Sequence, residues 1–224
     1  EEAVRVRNAG AIFVGVYAGT WVGIGPEARQ QKSFIWWVIN RLLFLAAVGS
    51  IQGFALYYLR DFLGIPNAAS MTTVLLGMVA LFLLPAALGG GFLADRFGRK
   101  RLVALAGWIA AAGTGLLLLA RGLPLVLVSG CVIGLATGIF MAVNWALGTD
   151  LAPAVQAGKY LGISNLAGAG AGIVGAGIGG PLADSFNALR PGLGYLVIFA
   201  IYGGLFLLSA AALGRVHVPR DARG

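Results

Sequence analysis

Charge is what this sequence has least of: Asp, Glu, Lys and Arg make up 11% of its 224 residues, against roughly 25% in a soluble domain. A water-facing surface wrapped around a globular core is thereby excluded. Cysteine is nearly absent too. Cys131 stands alone in an apolar run, so neither a disulfide framework nor a cysteine metal cluster can be built. The single histidine, His217, lies in the last stretch of the chain, and neither Gly-x-Ser-x-Gly nor His-Glu-x-x-His occurs. No two acidic residues share a long apolar stretch. Gly170-Ala-Gly172-Ile-Val-Gly175 matches a dinucleotide-binding pattern by letters, but no strand–helix–strand unit surrounds it. The expectation is a chain that is not an enzyme and that holds no cofactor and no metal.

What is abundant is apolar: 59% hydrophobic residues and a mean hydropathy of +0.89. The 36 glycines sit inside apolar runs, where membrane helices use them for close packing. A helix needs about 20 apolar residues to cross a hydrocarbon core of about 30 Å. Six stretches qualify: Phe34–Leu59, Met71–Leu93, Leu102–Ala120, Leu123–Leu147, Tyr160–Leu182 and Gly194–Leu213. Gly64-Ile-Pro-Asn67, Gly122-Leu-Pro124, Ala152-Pro153 and Arg190-Pro-Gly192 supply turn residues between them. Gly10–Gly25 is apolar but short and broken by Thr20, and reads as interfacial or loop. The expected organisation is a linker or interfacial segment over 1–33, a six-helix bundle over 34–213 and a tail over 214–224.

The net charge of +8 finds its explanation in position rather than in nucleic acid, for which no basic aromatic surface or zinc spacing is present. Arg5, Arg7, Arg29, Lys32, Arg96, Arg99, Lys100, Arg101, Lys159, Arg215, Arg220 and Arg223 fall on one side of the expected spans; Arg60, Arg121 and Arg190 fall on the other. Lys and Arg in short loops mark the cytoplasmic side. Both ends are therefore expected to be cytoplasmic, as an even number of spans requires, in a multi-pass protein of a bacterial plasma membrane.

Between the second and third spans stands Gly91-Phe-Leu-Ala-Asp95-Arg96-Phe-Gly98-Arg99-Lys100-Arg101. It resembles the signature loop of the major facilitator superfamily, Gly-x-Leu-Ala-Asp-Arg-x-Gly-Arg-[Lys/Arg]-[Lys/Arg], at every fixed position and on the expected cytoplasmic side. The resemblance covers essentially residues 34–213 and implies an all-α membrane protein, six helices forming one half of a twelve-helix secondary transporter that works by alternating access. In the loop, Gly91 would allow close helix approach, Gly98 would ease the turn, and Asp95 would cap a neighbouring helix N-terminus. The family implies that a carboxylate at the cytoplasmic end of the fourth helix accepts from the loop's arginine; Asp150 occupies that place. Asp95, Arg96 or Arg99, and Asp150 are thus expected to latch a cytoplasmic gate, with Lys100 in the same loop; the alternative is that Asp150 only caps the next segment.

Charged groups inside a span tend to face a cavity, because insertion near a helix centre costs about 2.5–3.5 kcal/mol. Arg41 lies about 10 Å along the first span from Phe34, and Trp37, Arg41, Val48 and Gln52 fall near one face. The fourth span offers Gly130, Gly134, Thr137, Met141 and Asn144, with Trp145 beside them. The resemblance implies that the first and fourth helices line the cavity, so the expected solute-binding residues are Trp37, Arg41, Gln52, Asn144 and Trp145. Arg41 has three available partners: an anionic solute, a carboxylate of the other half, or Asn144; snorkelling to the interface is the competing reading. Either Trp stacks on a sugar ring or belongs to an interfacial belt. Asn144 to Asn165 loosely resembles sugar-transporting members, which tilts the expected solute towards a small polar organic molecule such as a sugar. Gly168-x-x-x-Gly172 and Gly175-x-x-x-Gly179 in the fifth span are expected at close helix contacts.

The sequence opens on Glu1-Glu2-Ala3 without an initiator Met and closes on a charged tail. The expectation is that the chain is the carboxyl-terminal half, with an amino-terminal six-helix half as its partner besides the lipid bilayer and the solute; the well-preserved loop, more usual in a first half, argues the other way. The competing function classes are a six-helix assembly or structural protein and, on weaker grounds, an intramembrane enzyme.

Overall fold

The structure is a computed structural model and describes residues 31–152 and 157–217. Among the described residues six helices are long and apolar enough to cross a membrane: α1, Lys32–Tyr57; α2, Ala68–Phe97; α3, Arg99–Leu119; α4, Leu123–Leu151; α5, Ala157–Leu189; and α6, Leu193–Ala212. In hydrocarbon every backbone N–H and C=O must bond within its own segment, which makes the helix the stable state for these runs. The helices exceed the expected spans at most ends because that bonding continues past the apolar stretch into charged residues. Thus α1 starts at Lys32 and continues as a π-helical turn, Tyr58–Phe62, while α6 ends in a 3-10 turn, Leu213–Arg215. Pro85 and Pro181 are accommodated inside α2 and α5.

The connections are short. Gly98 alone joins α2 to α3, at φ +90°, a conformation L side chains rarely adopt. Leu123-Pro124 opens α4, where a proline costs no intrahelical bond. Residues 1–30, 153–156 and 218–224, and with them Arg5, Arg7, Arg29, Arg220, Arg223 and the Gly10–Gly25 segment, lie outside the described residues.

Packing follows a repeat that the sequence alone does not display. α1 packs against α5 and α6, α4 packs against α2 and α3, and α3 packs against α6. Advancing every label by three maps this set onto itself. A three-helix unit that recurs after an odd number of spans has inverted topology, the arrangement from which many transporters are built. α1 and α4 are the most buried spans, α2 and α5 the least.

Small residues set the distances. A Cβ on Gly134 would collide with the backbone of Val79, one on Gly138 with Leu83 O, and one on Gly130 with the side chain of Leu75. These three glycines form the groove of α4 in which α2 lies. On the equivalent contact, Gly175 receives Ser50 and Ala46 of α1, and Gly179 receives Phe54 and Tyr202. Gly172 has nothing nearby, so of the two expected glycine pairs only the second is packed throughout. At the centre, Phe44 of α1 stacks on Phe140 of α4 at 3.6 Å between ring centroids and meets Phe206 of α6 edge-on.

Candidate functional site

One buried polar network crosses α1, α4 and α6 near the end that carries Lys32, Gly98 and Leu213, referred to as the basic end. Asn144 Nδ2 donates to Asn40 Oδ1 at 2.8 Å, and Asn144 Oδ1 accepts from Arg41 Nη1 at 3.1 Å. Asn40 Nδ2 donates to both Ser209 O, at 2.9 Å, and Ser209 Oγ, at 2.7 Å; Ser209 Oγ in turn donates to Asn40 O. Trp37 Nε1 donates to Asn144 O at 3.1 Å. Asn40, Asn144 and Ser209 are wholly buried and Arg41 is 7% exposed. Buried polar groups need such partners, since an unsatisfied one costs about 1–3 kcal/mol. Asn144 is the hub because its amide offers both a donor and an acceptor edge.

Around the hub the expected residues take different positions. Trp37 is fully buried with its indole against Gly148, where a Cβ would overlap the ring; it presents no open face to a solute. Trp145 is partly exposed, and its ring lies 5.3 Å from Arg41 Cζ, a cation–π contact. Val48 is buried, so the expected stripe on α1 turns into the bundle, while Gly49, Gly53 and Tyr57 occupy the exposed face of that helix. Gly130 and Gly134 belong to the α2 contact and Thr137 bonds to Ile133 O of its own helix, which leaves Met141 and Trp145 as the open positions of α4 here. Gln52 is not brought to Arg41. It stands eleven residues further along α1, about 16 Å away, beside an apolar cavity of about 30 Å³ shared with Tyr58, Leu75, Ser129 and Phe199.

At the basic end, Arg99 Nη1 lies 2.6 Å from Asp150 Oδ1 and also donates to Ala146 O at 3.2 Å. The pair clamps the start of α3 to the end of α4. The other expected latch members do not join it. Asp95 is exposed and has no hydrogen bond or ion pair among the described residues, and the start of α3 has no side-chain cap. Arg96 lies over Phe97 instead. Lys100 Nζ donates to Val216 O at 2.6 Å, binding the α2–α3 turn to the segment after α6. Close approach is made by Gly90, whose Cβ position lies 3.4 Å from Ile139 Cα, and not by Gly91, which has nothing within 4 Å. One residue is a rotation of about 100° on a helix, enough to turn Gly91 away from α4.

Asn40 and Ser209 were not legible as partners. Asn40 is a second polar residue beside Arg41 in an apolar helix, a usable signal; Ser209 is one small residue among many in α6 and gave none. Neither did the contacts of Arg215 over Trp36, at 4.2 Å, and of His217 N donating to Ser33 Oγ, which fold the end of α6 beneath α1. Among the described residues, no group of three or more His, Cys, Asp or Glu is placed to hold a metal.

Comparison with known proteins agrees with this architecture. The chain is 31% identical over 103 residues to the minor myo-inositol transporter IolF of Bacillus subtilis (strain 168), a stretch covering 45% of this chain and 24% of that protein. It is 30% identical over 144 residues to myo-inositol transporter 2 of Schizosaccharomyces pombe (strain 972), covering 62% of this chain and 26% of that one. The aligned stretches thus take in about a quarter of either relative. Among solved structures, the inward-open xylose transporter XylE of E. coli superposes with a TM-score of 0.69 at 18% identity, over 84% of this chain and 48% of that one; at that identity the likeness concerns the fold. The profile of the Major Facilitator Superfamily matches residues 10–224. With six apolar spans, the signature loop and that match in hand, the chain is a multi-pass integral membrane protein and belongs to the Major Facilitator Superfamily.

Proposed function

We propose that this chain is one six-helix half, the carboxyl-terminal one, of a secondary transporter that moves a small polar organic solute of the sugar or polyol class by alternating access. The observation that carries the reading is the Arg41–Asn144–Asn40–Ser209 network: four polar side chains in three membrane helices, held in one geometry beside the open face of Met141 and Trp145. A purely structural bundle has little reason to keep a guanidinium so deep in hydrocarbon. The names of the two inositol-transporting relatives support the solute class, and the inverted three-helix repeat supports rocking of two halves around a shared site.

In this reading the amino-terminal half supplies the facing wall, and the basic end and both termini are cytoplasmic. Arg41 and Trp145 face the solute, the latter offering its ring edge-on or face-on to a sugar, while Asn144, wholly buried with its amide engaged by Arg41 and Asn40, holds Arg41 in place. Trp37 acts as a positioning residue by fixing the carbonyl of Asn144, and Gln52 lines the path on the far side. The Gly91–Lys100 loop, through Arg99 and Asp150, holds the cytoplasmic gate, with Asp95 and Arg96 left to engage the other half and Gly98 shaping the turn.

The test is uptake of radiolabelled myo-inositol into proteoliposomes containing the complete gene product. Saturable uptake, competed by unlabelled polyol and lowered about tenfold by Asn144→Ala, a loss equivalent to about 1.4 kcal/mol, is expected. Undiminished uptake by that variant would remove the site from the pathway. Absence of uptake for myo-inositol and for a panel of monosaccharides would overturn the solute class.

A further inference from the structure

Among the described residues the guanidinium of Arg41 has a hydrogen-bond acceptor but no counter-charge. Nη1 is used by Asn144, the face of the group is used by Trp145, and Nε is buried without an acceptor among the described residues. The acidic side chains among the described residues are Asp61, Asp95, Asp150 and Asp184, and all stand near helix ends. Asp61 is bound by Arg60 and Tyr195 beyond Tyr57, and Asp150 by Arg99. Asp95 and Asp184 are exposed. None reaches Arg41, which lies nine residues into α1, about 14 Å from its start. An amide dipole and an aromatic quadrupole orient a cation without cancelling its charge, and a charge buried with no opposite partner is among the costliest things a core can hold. A free Nε–H is one arm of the fork with which arginine grips a carboxylate.

We infer that Arg41 is the cationic member of an intramembrane ion pair whose carboxylate comes from outside the described residues and approaches past Trp145. The carboxylate has two kinds of source, an acidic solute or a protein Asp or Glu outside the described residues, either in the other six-helix half or among Glu1, Glu2, Glu27 and Asp221 of this chain. The inference rests on reading the chain as one half of a transporter, and it deepens that reading by naming the group the site must receive. Asn144 then holds Nη1 so that the remaining edge faces the carboxylate, and Trp145 shields the pair from lipid and water, which strengthens it.

The experiment compares thermal unfolding of the complete purified protein as wild type, Arg41→Lys and Arg41→Gln, each with and without D-glucuronate, a sugar that carries a carboxylate. If the partner is a protein side chain, Arg41→Gln lowers the midpoint by about 5 °C or more, Arg41→Lys lowers it less, and neutralising one intramembrane Asp or Glu of the other half, or one of Glu1, Glu2, Glu27 and Asp221, restores the Gln variant. If the partner is the solute, D-glucuronate raises the midpoint of the wild type and the Lys variant but not of the Gln variant. Should Arg41→Gln fail to fold, the neutralising second substitutions and the wild-type response carry the test: one substitution restores folding or D-glucuronate raises the wild-type midpoint, and failure of both overturns the pair. Equal midpoints for the three proteins, with no difference in their response to D-glucuronate, likewise overturn it. Because the readout is stability, the outcome is independent of whether myo-inositol is transported.

Discussion

Removing the hub amide should expose how strongly the three helices are coupled. Asn144→Leu keeps the branched four-atom shape of the side chain while leaving Arg41 Nη1 and Asn40 Oδ1 without the partners they have at 3.1 and 2.8 Å. On soluble-protein figures a hydrogen bond from a charged donor contributes about 1.5–3 kcal/mol and a neutral one about 1. Interhelical bonds in a membrane average nearer 0.6 kcal/mol, because the unfolded helices find other partners in the bilayer. The two scales bracket the loss at about 1–4 kcal/mol. A double-mutant cycle separates the pair from its surroundings: wild type, Arg41→Met, Asn144→Leu and the double variant are unfolded by SDS titration of the complete protein in mixed micelles. Once Arg41 is gone, Asn144 has one partner fewer to lose, so the double variant should be about 1 kcal/mol more stable than the two single losses added together. Ser209→Ala should cost less than Asn144→Leu, because Asn40 Nδ2 keeps the Ser209 carbonyl at 2.9 Å. Additivity within about 0.5 kcal/mol in the cycle would show that Arg41 and Asn144 act independently, and the network argument would fail.

Gly134→Ala, which drives a methyl into the Val79 backbone, is expected to cost about 1–3 kcal/mol, whereas Gly115→Ala meets open space and should be neutral or stabilising by up to about 1 kcal/mol; similar unfolding midpoints for the two would contradict the α2–α4 packing. Gly98→Ala should cost about 1–2 kcal/mol through its φ of +90°, read in the same titration, and no loss would mean that the turn does not keep this backbone. In a Cys131→Ser background, a cysteine at Met141, 44% exposed, should react severalfold faster with a maleimide added from the cytoplasmic side once Asp150→Asn removes the clamp from Arg99; an unchanged rate would separate the ion pair from gating. Truncation after Leu213 removes the acceptor of Lys100 and the Arg215–Trp36 contact, and should lower the midpoint by a measurable few degrees, while an unchanged midpoint would show that this strap adds nothing.

Much of the architecture was legible in one dimension. A bilayer admits few backbone solutions, so runs of about 20 apolar residues punctuated by Gly64-Ile-Pro66, Gly98 and Gly122-Leu-Pro124 announced six helices, and the Gly91–Arg101 loop announced the superfamily. Gly98 was readable as a turn residue for the same reason: only the local backbone decides it. The position of Arg41 in an apolar span was likewise enough to mark it as exceptional, because the cost of its burial does not depend on which neighbours it has.

Only the tertiary structure decided which side of each helix meets which neighbour. Helical periodicity groups residues on a face but cannot orient that face when lipid and core are equally apolar, which is why Trp37 turned inward onto Gly148, Gly130 and Gly134 became the seat of α2, and the close approach fell to Gly90 and not to Gly91. The pairing of Asn40 with Ser209, separated by 169 positions, and of Lys100 with Val216 depends on how α6 lies across α1 and α3. Apolar patterning sets what may enter the membrane, whereas steric fit and hydrogen-bond geometry between helices set what touches inside it.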